Sequence, residues 1–189
     1  MIDIASTIEE HCSVAQHLEA IISDIEIVGE RMSTAVQNDG KILWMGNGGS
    51  AADSQHLAAE LVGRFQHERR ALSSIALTTD TSILTAVGND YGYDTIFQRQ
   101  VQALANPQDI AVGISTSGNS ANVLRGIRQA QKVGTFTVGM TGQSGGKLAD
   151  EVDICLRVPS EKTTRIQEMH ILIGHILCGW IEKSVLASG

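Results

Sequence analysis

The sequence predicts an α/β fold: a three-layer sandwich in which a central parallel sheet of about five strands lies between helices, with a long helix ahead of it. Short apolar runs recur five times between residues 41 and 158, helical stretches alternate with them, and the 37 residues in front hold a helical seam. Strands apolar throughout are buried on both faces, and their alternation with helices is the pattern of parallel crossover units. A chain of 189 residues buries roughly 70% of its unfolded surface. That is enough for one core, so residues 1–189 are expected to form a single domain.

The first element is read from positions 4, 8, 11, 15, 18, 22, 25, 29, 32 and 36. They are Ile4, Ile8, His11, Ala15, Leu18, Ile22, Ile25, Gly29, Met32 and Val36, so eight of ten are apolar. Steps of four and three put them on one side of a helix. The spacing predicts one long helix or two in line over 1–37, packing on the domain and partly against another subunit. Asn38-Asp39-Gly40 ends it, with glycine in the usual C-terminal place. Strands follow at Lys41–Gly46, Ser74–Leu77, Asp109–Ile114, Thr135–Met140 and Val152–Val158. Helices fall at about 51–65, 81–88, 95–105, 120–133 and 146–150, and a last one runs from about Thr163 to Leu186, after Pro159.

Charge excludes some partners. Fourteen Lys and Arg against 21 Asp and Glu give a net charge of −7. Such a chain has no bulk attraction for nucleic acid or anionic lipid. A phosphate would have to be held locally, by backbone amides and hydroxyls. Cys12, Cys155 and Cys178 show neither a disulfide framework nor metal-ligand spacing, which fits a reducing, cytoplasmic compartment. Asp3, Glu9 and Glu10 stand where a secretory signal would need a basic flank. The longest apolar stretch, Ile171–Ile181, is broken by His175. It is short of the roughly 20 residues that span a bilayer, so a buried helix is expected and no membrane.

Two loops have the chemistry of a phosphate site. Gly46-Asn47-Gly48-Gly49-Ser50 and Ser115-Thr116-Ser117-Gly118-Asn119-Ser120 each join a strand to a helix. Ligands of open parallel sheets bind beyond the carboxyl ends of the strands. Glycines admit a close approach to backbone, and free amides at a helix start meet an anion along the helix dipole. Helix capping by Ser and Asn is the simpler reading of either loop alone. No Walker-type lysine follows either one, which excludes a nucleoside triphosphate site of that kind.

His56 and Glu60 lie four apart, a turn apart on one helix face. From this pair alone, a solvated polar face is the plainer reading. The last helix carries Gln167, Glu168, His170 and His175, and His175 interrupts an apolar run. Burying it without a partner would be costly. One carboxylate, two imidazoles and an amide oxygen suit one divalent metal, zinc above all. The set is specific only if the fold brings the two helices together.

Several motifs together resemble one family. Gly46–Ser50 is followed by His56-Leu57-Ala58-Ala59-Glu60-Leu61 and Gly63-Arg64-Phe65. Then come Val87-Gly88-Asn89-Asp90-Tyr91-Gly92, Gly113–Ser120 and Arg165-Ile166-Gln167-Glu168-Met169-His170. In order and spacing, over nearly the whole chain, they are similar to the phosphoheptose isomerases, which are sugar-isomerase (SIS) domain proteins of flavodoxin-like topology. The resemblance implies conversion of sedoheptulose 7-phosphate to D-glycero-D-manno-heptose 7-phosphate through an enediol. That is the first step toward the nucleotide-activated heptose of polymers such as lipopolysaccharide. It implies that Ser50, Ser115, Thr116, Ser117 and Ser120 bind the phosphate, and that Asn47, Gly48, Gly49, Asn89 and Asp90 line the sugar. Glu60 and His175 would be the acid/base pair, and His56, Glu60, Gln167 and His175 the zinc ligands of metal-binding members. Glu60 and Gln167 would also contact substrate. A homotetramer with active sites near subunit interfaces is implied as well.

The chemistry agrees with these residue types. Moving a carbonyl from C2 to C1 needs a base for the carbon proton and a group to shuttle protons between the oxygens, and a carboxylate and an imidazole suit those tasks. A carboxylate that ligates zinc is a weaker base, which sets the two roles of Glu60 in tension. The competing reading is a non-catalytic scaffold of the same fold that binds the replication initiator DnaA. Such relatives lack the counterparts of Glu60 and His175, and this chain has both.

Overall fold

The computed structural model describes residues 2–188. Met1 and Gly189, the ends of the expected domain, lie outside the described residues. The elements are α1 (Ile4–His17), α2 (Ile22–Gln37), β1 (Ile42–Gly46), α3 (Gly49–Val62), β2 (Ser74–Ala76), α4 (Thr81–Tyr91), α5 (Ile96–Leu104), β3 (Ile110–Ile114), α6 (Ala121–Val133), β4 (Phe136–Thr141), α7 (Leu148–Glu151), β5 (Ile154–Arg157) and α8 (Thr163–Ala187). Short 3-10 turns occupy Leu18–Ile21 and Tyr93–Thr95.

The five strands form one parallel sheet in the order β2-β1-β3-β4-β5. Side chains alternate across it, as strand geometry requires. Ile42, Trp44, Ile110, Val112 and Ile114 enter a core beneath α2, α3 and α8. Leu43, Met45 and Ala111 enter a second core beneath α5 and α6. Both faces are therefore dry, which is why these strands read as unbroken apolar runs. Trp44 is fully buried, and its indole N–H donates to Ser74 Oγ at 2.9 Å.

The N-terminal seam divides at the 3-10 turn. Its later half is buried on the domain at Leu18, Ile25, Gly29, Met32 and Val36, with Ile22 the exception at 51% exposure. Its earlier half is not: Ile4 is 71% exposed and Ile8 58%. His11, the polar break in the seam, donates from Nδ1 to Glu168 Oε2 at 2.7 Å and so ties α1 to α8.

One local expectation is corrected. The left-handed residue that closes α2 is Asp39, with φ 60°, and not Gly40. Glycine is needed at 40 for space: a β-carbon there would lie 2.5 Å from the Gln108 carbonyl oxygen.

Helix α8 is long and apolar enough to cross a bilayer by length and composition alone, which the apolar run 171–181 understated. Its buried polar residues place it in the core instead. Arg165, His170 and Glu182 are all buried on it, and each has a hydrogen-bond partner inside the fold.

Candidate active site

β1 and β3 are neighbours, but β1 leads to α3 on one face and β3 leads to α6 on the other. The crevice at such a switch point is where open α/β sheets bind ligands. Both Gly/Ser loops open into it. Asn47 and Asn122 bridge them by two reciprocal hydrogen bonds of 2.9 and 2.8 Å. Tyr93, just beyond α4, adds a third by donating to Asn47 Oδ1 at 3.0 Å. That links the Asn89-Asp90 segment to the first loop. Asn89 and Asp90 themselves are exposed at the end of α4 and bond to each other at 2.8 Å.

The second loop is tightly wound. Gly118 donates its N–H to the Ser115 carbonyl at 2.9 Å, and the hydroxyls of Ser115 and Ser120 lie 2.9 Å apart. Gly118 has φ 65°, and a β-carbon on it would overlap the Gly145 carbonyl oxygen, so only glycine fits. Thr116, Ser117, Asn119, Gln143, Ser144 and Ser160 line a polar cavity of about 340 Å³ beside the loop. In the first loop Gly48 has φ 57°, Ser50 is buried in the first turn of α3, and the start of α3 faces outward at Gly49. Gln167 comes from α8 to lie directly against Gly49.

The fold does bring α3 and α8 together. Leu57 of α3 packs on Gly174 of α8, where a β-carbon would lie 2.5 Å from the leucine side chain. Below that contact, His56, Glu60 and His175 each offer a ligand atom, and these atoms lie within 4.8 Å of one another. His56 Nε2 is 3.2 Å from Glu60 Oε1, and the His56 and His175 rings meet edge-on with centroids 5.1 Å apart. The Phe65 ring packs on His175 as well, with centroids 5.7 Å apart. The polar face expected from 56 and 60 alone is therefore half-closed by α8. The three groups can hold a metal ion. Ligands of one tetrahedral zinc sit about 3.4 Å apart, so modest side-chain rotation suffices. An imidazole ligates through a nitrogen without a proton, so binding would replace the His56–Glu60 hydrogen bond. Gln167, with its amide against Gly49, stands toward the two Gly/Ser loops from this cluster.

The remaining α8 groups have structural partners. Glu168 accepts from His11 and from Arg165. His170 is fully buried, and its Nε2 donates to the Thr141 carbonyl at 3.2 Å; burial pushes its pKa down to about 4. The Cys178 thiol is pushed up to about 12, chiefly by burial, with the Glu60 carboxylate adding to it. That keeps it an inert thiol.

Sequence reasoning missed four participants. Asn122 and Tyr93 carry no local motif, and their role depends on strand order. Phe65 meets His175 only because α3 and α8 pack. Asp53 lies between Gly49 and His56 on α3, with Oδ2 buried and without a hydrogen-bond partner among the described residues. Burial raises its pKa and the nearby His56 partly offsets this.

Residues 9–142 match the SIS domain family. The chain is 55% identical to a phosphoheptose isomerase of Aquifex aeolicus, over 89% of this chain and 88% of that protein. It is 53% identical to one of Geotalea daltonii, over 96% and 95%. Among solved structures, the phosphoheptose isomerase of Neisseria gonorrhoeae superposes with a TM-score of 0.90 at 45% identity, covering 95% of this chain and 97% of that one. These relatives are isomerases, which leaves the scaffold reading without support.

Proposed function

The chain belongs to the phosphoheptose isomerases of the SIS-domain family, and from that membership we propose that it interconverts sedoheptulose 7-phosphate and D-glycero-D-manno-heptose 7-phosphate through an enediol. The observation that carries this reading is the meeting of Glu60, on the helix that begins at the first loop, with His175 across the α3–α8 contact.

In this reading the hydroxyls of Ser50, Ser115, Thr116, Ser117 and Ser120, with free amides at the starts of α3 and α6, hold the phosphate. Asn47, Gly48, Gly49, Asn89 and Asp90 line the sugar, which extends from the loops along α3. Glu60 takes the proton from C1 of the ketose and returns it to C2. His175 moves protons between O1 and O2, donating to one oxygen as the other loses its proton. Phe65 excludes water from one face of His175. A zinc ion held by His56, Glu60 and His175, with Gln167 as a fourth ligand or substrate contact, would polarise the carbonyl and stabilise negative charge on the enediol oxygens. A zinc-bound Glu60 is a weaker base, so the ligand and base roles belong to different moments of the cycle.

Residues 1–189 act as one SIS domain in a homotetramer. The exposed Ile4, Ile8 and Ile22 of the N-terminal seam support this. So does a groove of about 790 Å³ beside His175, lined by Phe65, Ile176 and Trp180, which a neighbouring subunit would cover. Three free cysteines suit the cytoplasm. The reading is tested by turnover of sedoheptulose 7-phosphate with zinc supplied. Formation of the aldose, with solvent deuterium appearing at C2, supports it, and no turnover with or without metal overturns it.

A further inference from the structure

Two buried charges lie just behind the Glu60–His175 pair and hydrogen-bond to neither of their side chains. Glu182 is on α8, seven residues beyond His175, or two helical turns and about 10 Å along the axis. Arg69 is in the segment that leaves α3. Both side chains are 1% exposed, and Arg69 Nε lies 3.5 Å from Glu182 Oε1.

Each charge grips one wall of the site. Glu182 accepts the backbone N–H groups of Phe65 at 3.0 Å, Gln66 at 2.8 Å and His67 at 2.9 Å. It thereby fixes the segment whose Phe65 ring packs on His175. The Arg69 guanidinium donates to the carbonyls of Leu61, Gly63 and Arg70, and through Nη2 to the carbonyl of Glu60 itself at 2.8 Å. The last carbonyls of a helix have no partner within it, and here one side chain takes several of them. Burial would raise the Glu182 pKa, but the amides of Gln66, Phe65 and His67 and the His67 ring outweigh it and hold the group below its ordinary value. The carboxylate is therefore charged where the clamp needs it.

We propose that Arg69 and Glu182 are positioning residues that set the separation of Glu60 from His175 by locking the end of α3 to α8. A salt bridge that served stability alone would have no reason to end on the backbone of the base and on the segment covering the acid. Replacing buried ion pairs by apolar residues is often neutral for stability, so stability alone is a weak account of this one. The inference rests on the functional reading above for the identity of the reacting pair.

The test compares Glu182→Gln and Arg69→Lys with the wild-type chain, per folded molecule, by cobalt(II) titration and by turnover of sedoheptulose 7-phosphate. Groups that orient ligands from behind typically change metal affinity or activity by about 10–100-fold. Cobalt affinity and kcat should each fall by about that factor, while KM stays within about threefold because the phosphate loops are held elsewhere. Arg69→Lys keeps the charge opposite Glu182 and carries the test if Glu182→Gln does not fold. Folded variants with wild-type kcat and cobalt affinity overturn the clamp, as does a loss confined to melting temperature. A wild-type chain without turnover overturns the functional reading instead, and the two failures are distinct.

Discussion

Gly49 and Gln167 are in direct contact: a β-carbon on Gly49 would lie 2.6 Å from the Gln167 side-chain nitrogen. The absence of a side chain at the second position of the first glycine pair is therefore required by packing. It lets an amide from the last helix lie against the start of α3, between the two Gly/Ser loops and the His56–Glu60–His175 cluster.

Gly49→Ala is expected to displace that amide. Overpacking typically costs about 1–3 kcal/mol, so the variant should fold with a lowered melting temperature. Its turnover should fall about 10-fold or more, as for removal of a group that orients ligands. Unchanged turnover would mean that Gln167 acts neither on metal nor on substrate.

Ser117 is exposed and bonds only within its own loop, accepting from the Asn119 N–H at 3.2 Å. Ser117→Ala should leave stability within about 0.5 kcal/mol. A lost hydrogen bond to a charged group costs about 1.5–3 kcal/mol, so affinity for the sugar phosphate should fall 10-fold or more by calorimetry. Wild-type affinity would reduce the loop to a helix cap. Ser115→Ala is a less clean probe, since Ser115 is also bonded to Ser120.

The sheet was legible because its strands are buried on both faces, and each of the five apolar runs became a strand. The loops were legible because glycine and serine between a strand and a helix have few other uses. The ends of Glu60's helix were not. Arg69 and Glu182 are 113 residues apart, and nothing in the sequence near Glu182 shows that it meets three amides at residues 65–67. Likewise, the reading of 56 and 60 as a solvated face was reasonable for one helix. It fails because Gly174 lets Leu57 come close enough for His175 to reach them.

His170 gives a pH dependence of stability with a definite sign. Its pKa is about 4 in the folded chain, against an ordinary 6.5. Between those values the unfolded chain binds more protons, so stability falls as pH drops from 6.5 toward 4 and levels off below. A shift of this size is worth about 3 kcal/mol. His170→Gln keeps a donor for the Thr141 carbonyl and removes the titration. The difference in unfolding free energy between the wild type and this variant, measured from pH 7 to pH 4.5, should shift in the variant's favour by about 2 kcal/mol or more. Glu182 loses its contribution only as pH falls below the ordinary range of a glutamate, and it is common to both proteins. A pH-independent difference would show that His170 takes up its proton in the fold at the same pH as in the unfolded chain.

Glu60 bears the most weight. Its carbonyl is held by Arg69 and its carboxylate oxygen lies 3.2 Å from His56 Nε2, so both ends of the residue are constrained. It lies ten residues after Ser50 on one helix, about 15 Å along the axis, a distance that a seven-carbon sugar phosphate can cover when extended. Glu60→Gln keeps the shape and a hydrogen-bonding oxygen but removes the base. The variant should fold, bind sugar phosphate and lose turnover by at least about 100-fold. Exchange of the C1 proton of the ketose in deuterated water should vanish with it, because that exchange requires the base and nothing after it. Metal loss would also lower turnover, so zinc content is measured in parallel. A variant that retains zinc but not exchange assigns the proton transfer to Glu60. A variant that exchanges C1 at the wild-type rate moves the base to His175, the other titratable group of the pair across the α3–α8 contact.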